Sequence, residues 1–146
     1  MEAGEQRHFK FSRPFIMEVH FSFNRDYPWE YDEESDKRPL DTPLQIEVSK
    51  PKIDNSSICE ATVNLTATVG EKGPNFPYHI SVTMSADFTW SKELSPQTVN
   101  EMLSRNAPAL LLGYVRPYVA QITEASPVGA VHIPFMNFAQ QEKPKD

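Results

Sequence analysis

Tyr78-His79-Ile80-Ser81-Val82-Thr83-Met84-Ser85-Ala86-Asp87-Phe88-Thr89-Trp90 alternates from end to end. Tyr78, Ile80, Val82, Met84, Ala86, Phe88 and Trp90 share one face; His79, Ser81, Thr83, Ser85, Asp87 and Thr89 share the other. A period of two is the mark of a strand buried on one side, because successive side chains point to opposite faces. The Ser and Thr row suits the solvated face of an antiparallel sheet.

The same pattern precedes it. Over about 58–69, Cys59, Ala61, Val63, Leu65, Ala67 and Val69 line one face against Glu60, Thr62, Asn64, Thr66 and Thr68. Gly70 to Pro77, with two prolines, reads as the turn between the two strands. Further upstream, Leu44, Ile46 and Val48 mark a short strand, and Asp54-Asn55-Ser56-Ser57 a turn. Residues 15–24 alternate too, with Phe15, Met17, Val19, Phe21 and Phe23 expected on one buried face. Residues 1–12 read as a polar tail, 13–138 as one domain and 139–146 as a second polar tail.

After Trp90 the period changes. Ser95-Pro96 has the form of an N-cap followed by proline at the first helical position. A short helix is expected to about Arg105. Asn106-Ala107-Pro108 is read as restarting the chain into a longer helix over about 108–125, kinked at Pro117. Val131 to Phe138 reads as a last extended piece. Four strands and then a long helix give an α+β fold, an antiparallel sheet with the helix on one face. The long 26–41 segment allows the first strand to sit away from the second.

Composition narrows the chemistry. Only 5 of 146 residues are glycine, and no GxGxxG or GxxxxGK[ST] loop exists. The net charge of −6 disfavours nucleic acid. No apolar run approaches the ~20 residues of a membrane helix, and Met1 to Lys10 lacks the apolar stretch of a signal peptide. The expected compartment is the cytoplasm, and the Asn55 and Asn64 sequons read as chance. His8, His20, His79 and His132 show no ligand spacing, so no metal or cofactor is expected. Cys59 lies on the apolar face, where a lone cysteine is usually a small core residue. No nucleophile elbow or paired acid and base stands out, so no enzymatic site is expected.

Two features point to binding. Residues 26–41 hold seven acids against two bases, five of the six net negative charges. Within this run Tyr27, Trp29 and Tyr31 fall at alternate positions. They either tuck back over the chain's own core or offer a face to a partner. The second feature is the helix. Leu110, Leu111, Leu112, Tyr114, Val115, Tyr118 and Val119 spread wider than a one-sided stripe, which suggests a contact between copies.

The stretches Ala61 to Glu71, Asn106 to Arg116 and Pro134-Phe135-Met136-Asn137-Phe138, with Phe88 between, resemble the SecB protein-export chaperone family. They are similar to its long strand ending in a Gly-Glu turn, its helix start with Tyr-x-Arg, and its Pro-x-Asn-Phe segment. The resemblance covers about residues 9–138. It implies a four-stranded antiparallel sheet, a long helix, and dimers paired into a homotetramer through helices. Leu111, Tyr114 and Tyr118 are then the expected interface residues. It implies an ATP-independent holdase for unfolded or precursor polypeptides in the bacterial cytoplasm, with hand-over to the motor SecA. The alternative is a chaperone or adaptor dedicated to one partner, such as an antitoxin. The client groove would use Tyr27, Trp29, Tyr31, Leu44, Ile46 and Val48. Glu71 would dock SecA, whereas His20 and Asn24 stand where the family carries acids. Gly113 stands where a proline is common, and Pro117 follows one turn later. Only Ala139 to Asp146 remain for the family's second helix.

Overall fold

Unbroken alternation produces long strands, and the two best-patterned stretches form the centre of the sheet. The computed structural model describes residues 9–27, 44–48, 52–54, 59–73, 75–134, 136 and 138. Six strands occur among them: β1 (Phe9–Phe11), β2 (Phe15–Phe23), β3 (Leu44–Val48), β4 (Lys52–Asp54), β5 (Cys59–Gly70) and β6 (Tyr78–Trp90). They fill four rows. β1 and β2 both pair with β6, β6 pairs with β5, and β3 and β4 both pair with β5, all antiparallel. The first long strand therefore lies beside the last, across the sheet from β3.

The β5–β6 register runs from Cys59 opposite Trp90 to Gly70 opposite His79. On the core face small side chains meet large ones: Cys59 with Trp90, Ala61 with Phe88, Ala67 with Val82. Directly opposed pairs are the unit of sheet stability, and this matching fills space without strain. All six β5 residues of this face are at most 5% exposed. The opposite face is laced by Thr62 Oγ1 donating to Asp87 Oδ1 at 2.6 Å and by the Thr66 and Thr83 hydroxyls at 2.7 Å. Gly70 closes β5 at φ +78°, and a Cβ there would stand 2.1 Å from the Tyr78 carbonyl oxygen.

The first row departs from the sequence reading in two ways. Phe9–Phe11, placed in the tail by sequence, is a strand. Phe9 stacks on Trp90 at 5.6 Å between ring centroids. Its end is tied by Ser12 N to Asp87 O and Asp87 N to Ser12 Oγ. The second departure is a bulge. Ile16 pairs with Met84 and Glu18 with Thr83, so Met17 is one extra residue. Val19, Phe21 and Phe23 keep the core face, opposite Val82, Ile80 and Tyr78. Beyond the bulge the faces exchange: Ile16 takes the core side and Phe15 moves to the polar side, opposite Ser85.

The helical region is continuous, not two helices. α1 (Pro96–Glu101) begins at Ser95, whose Oγ accepts from Thr98 N at 3.1 Å. A π-helical turn, Met102–Asn106, joins it to α2 (Ala107–Glu124). The reason is Pro108. It has no N–H for the Ser104 carbonyl and its ring crowds that carbonyl. Widening the turn, with Ala107 N bonding Met102 O, carries the helix past the obstacle. α2 continues through Pro117 and lays Leu111, Leu112, Val115, Val119 and Thr123 on the sheet's core face.

The chain then returns along the helix. Val131 and Ile133 are buried, as is Phe138. Thr123, 0% exposed, holds this segment: its Oγ1 donates to Val119 O and accepts from Val131 N, both at 2.7 Å. Arg116 Nε donates to Ile133 O at 2.6 Å. Thr123→Val keeps the shape but strands the Val131 N–H. It should lower unfolding free energy by about 1–3 kcal/mol in urea titration.

Candidate functional site

The register places Leu44, Ile46 and Val48 opposite Val69, Ala67 and Leu65 in the outermost row, with Ile46 on the core side. One face of a short strand thus extends the apolar floor beyond β5. Ile46 is half-buried against the core, and Val48 is 37% exposed. Gln45 and Glu47 lie on the other face, exposed. Tyr27 is half-buried just past the end of β2, its N–H bonded to Asn24 O at 3.2 Å. Tyr27 and Leu44 stand at the same end of the sheet, the end where Gly70 turns. Their rows are three strand spacings apart, about 14 Å. Trp29 and Tyr31 lie outside the described residues.

The same end of the sheet, just past β5, holds the residue expected to dock SecA. Glu71 is exposed, followed by exposed Lys72. Beside them His79 has a buried Nδ1 without a hydrogen-bond partner. Burial, then the charge of Lys72 and then His20, hold its imidazole below the ordinary histidine range. His20 Nε2 pairs with Glu18 Oε1. Asn24 serves structure here: its Nδ2 donates to Phe76 O at 3.2 Å and to Gly73 O at 3.5 Å, and its Oδ1 accepts from Asp26 N. It ties the segment after β2 to the β5–β6 turn. No sequence pattern announces this role, because both bonds go to backbone some 50 residues away.

The three helix residues divide. Leu111 is 0% exposed within the chain's own core and has no surface to offer another copy. Tyr114 is 44% exposed, and Tyr118 is half-buried. The helix carries apolar residues at every angle, so their spread alone does not say which side faces the sheet. A further surface was missed in the sequence. Phe11, Phe15, Ile16 and Met17 are 50%, 46%, 38% and 58% exposed and gather along the β1–β2 edge. Phe9 and Phe11 are too few to reveal a period, and the bulge at Met17 that turns Phe15 and Ile16 to opposite faces leaves no mark in the sequence.

Among the described residues no group of three His, Cys, Asp or Glu side chains could hold a metal ion. Among them, too, no helix is long and apolar enough to cross a membrane.

The family described as preprotein translocase subunit SecB matches residues 2–142, almost the whole chain. The chain belongs to the SecB family. Two curated relatives, the SecB protein-export proteins of Orientia tsutsugamushi strains Boryong and Ikeda, are each 26% identical over 106 residues, 73% of this chain. The match spans 64% and 62% of those relatives, less than two thirds of either. The SecB-like chaperone of Mycobacterium tuberculosis, solved with a peptide from an antitoxin, superposes with a TM-score of 0.58 at 11% identity, covering 90% of this chain and 93% of that one. A Streptococcus agalactiae protein of unknown function superposes with a TM-score of 0.57 at 16% identity, covering 87% and 97%. The SecB fold is thus shared at low identity: an antiparallel sheet with one long helix packed on it.

Proposed function

We propose that this SecB-family chain is a chaperone that holds unfolded polypeptide without ATP. The observation that carries this reading is the apolar shelf of Ile46 and Val48, which continues the core floor past β5 into solvent. Unfolded clients offer apolar side chains in no fixed order, so such a site needs apolar area without fixed hydrogen-bond geometry. Aromatic side chains from the acidic segment that precedes β3 in sequence, Tyr27, Trp29 and Tyr31, would add area at low entropic cost. The acids around them would keep the site soluble and attract basic clients.

Two separate apolar surfaces, the β1–β2 edge and the outer face of α2, fit an oligomer with two kinds of contact, as in a dimer of dimers. Glu71 remains the proposed docking residue for SecA. A chaperone dedicated to one partner is the second reading. It is favoured by His20 and Asn24 at the family's acidic positions and by the antitoxin peptide bound to the Mycobacterium relative.

Aggregation assays with several unrelated unfolded clients separate the two readings. Broad protection supports the holdase, and protection of one partner alone supports the dedicated chaperone. Within the holdase reading, Trp29→Ala with Tyr31→Ala and Val48→Ser should weaken client binding by about 1–3 kcal/mol, the range for lost interface anchors. Melting should be nearly unchanged. Early melting with intact binding by the folded fraction would show that these side chains are core.

A further inference from the structure

His79 stands on the last β5–β6 rung, with Gly70 on one side and Ser22 of β2 on the other. Its Nδ1 is buried and has no hydrogen-bond partner. Gly70 brings no side chain to the rung. The next hydroxyls along the face, Thr68 and Ser81, bond each other at 3.4 Å. The same corner holds the ties at the end of β2. Asn24 N donates to Pro77 O at 2.8 Å, and Asn24 Nδ2 reaches the Phe76 and Gly73 carbonyls. All three acceptors belong to the turn between Gly70 and Tyr78.

An imidazolium carries protons on both ring nitrogens. On His79 the proton at Nδ1 would be a buried donor with no acceptor, which costs free energy. The neutral ring avoids this by keeping its one proton at Nε2. The surrounding charges do not compensate. From β2, His20 is next along the face, and it engages Glu18. Past β5, Glu71 and Lys72 are exposed, and Lys72 repels a charge on the ring. Arg25 and Asp26, beyond β2, are exposed as well. β6 itself presents Ser81 and Thr83 on this stretch, neither charged. The helix lies on the other face of the sheet. Burial and the charges of Lys72 and His20 hold His79 below its ordinary 6.5. A group lowered in this way stabilises the fold above its ordinary value, and that contribution is lost as the pH falls through the folded value.

We propose that His79 is an acid-sensitive latch whose protonation frees the end of β2 from the β5–β6 turn. Tyr27 and Glu71 stand at this corner, so the opening lies between a proposed client aromatic and a proposed docking carboxylate. The test is NMR on the full chain between about pH 7.5 and 4.5, across the histidine range. It follows the His79 ring and the exchange of the Asn24 amide, with Val82 in the middle of β6 as reference. The ring should titrate below 6.5. Asn24 protection relative to Val82 should fall in acid, by up to about tenfold for each unit the ring is held below that value. His79→Gln cannot gain the charge and should keep that protection level across the range. Lys72→Gln removes a repelling charge, so it should raise the ring's pKa and lessen the fall. A ring that titrates at 6.5 or above overturns the proposal. So does protection that stays level in the wild type, or that falls equally in His79→Gln. If His79→Gln does not fold, Lys72→Gln decides: a raised ring pKa with a smaller fall supports the latch, and any other result overturns it.

Discussion

Gly70→Ala is expected to lower unfolding free energy by at least about 3 kcal/mol, or to prevent folding. Two causes add. At φ +78° an L side chain costs roughly 1–2 kcal/mol. The new methyl would also stand 2.1 Å from the Tyr78 carbonyl oxygen, which is backbone and cannot swing aside. Relief means breaking the last rung of the register, Gly70 opposite His79. Chemical denaturation at fixed protein concentration reads the loss. A variant within about 1 kcal/mol of wild type would show that the turn reorganises freely. Gly73→Ala is the control for glycine content. It also has positive φ, 128°, but nothing lies within 4 Å of its added methyl, so only the backbone cost applies.

Leu111→Ala should cost about 2–5 kcal/mol, the range for emptying a leucine site in a packed core. Leu111 is 0% exposed and belongs to the cluster that joins α2 to β5 and β6. The same change at Tyr114, 44% exposed, should leave the stability of the single folded chain nearly untouched. Denaturant midpoints at low protein concentration measure both, since association would otherwise shift them. A Leu111→Ala midpoint equal to that of Tyr114→Ala would contradict the burial described for this helix.

The contrast between these two residues shows where sequence reading stops. The β5–β6 hairpin was legible because its alternation is faultless over both strands, and a one-residue slip would turn every core side chain outward. The helix was legible as a helix, but Leu and Tyr occur at nearly all its angles, so its buried side is chosen by what it packs against. The fusion of α1 with α2 was hidden for a related reason. Proline reads as a stop, and only the widened turn before Pro108 lets the helix pass. A bulge leaves no compositional mark either: Met17 suits either face, so the exchange of Phe15 and Ile16 could not be read. Three residues, Phe9–Phe11, are too short for a period to emerge. For the candidate site, alternation predicts Leu44, Ile46 and Val48 on one face of a short strand, and the strand and its register with β5 match that reading. Tyr27, Trp29 and Tyr31 alternate over only three positions, without the flanking apolar residues that would say which way that face turns.

The row order has a consequence for the growing chain. β1 and β2 leave the ribosome first, but their neighbour β6 is complete only at Trp90, 67 residues after Phe23. β5 and β6, separated by a short turn, can close as soon as both are made, because short loops cost little to close. At about 5–20 residues per second the first row waits roughly 3–13 s for its partner. During that interval Phe15 to Phe23 form an unpaired apolar strand, and the nascent chain carries a segment of the kind it is proposed to hold in others.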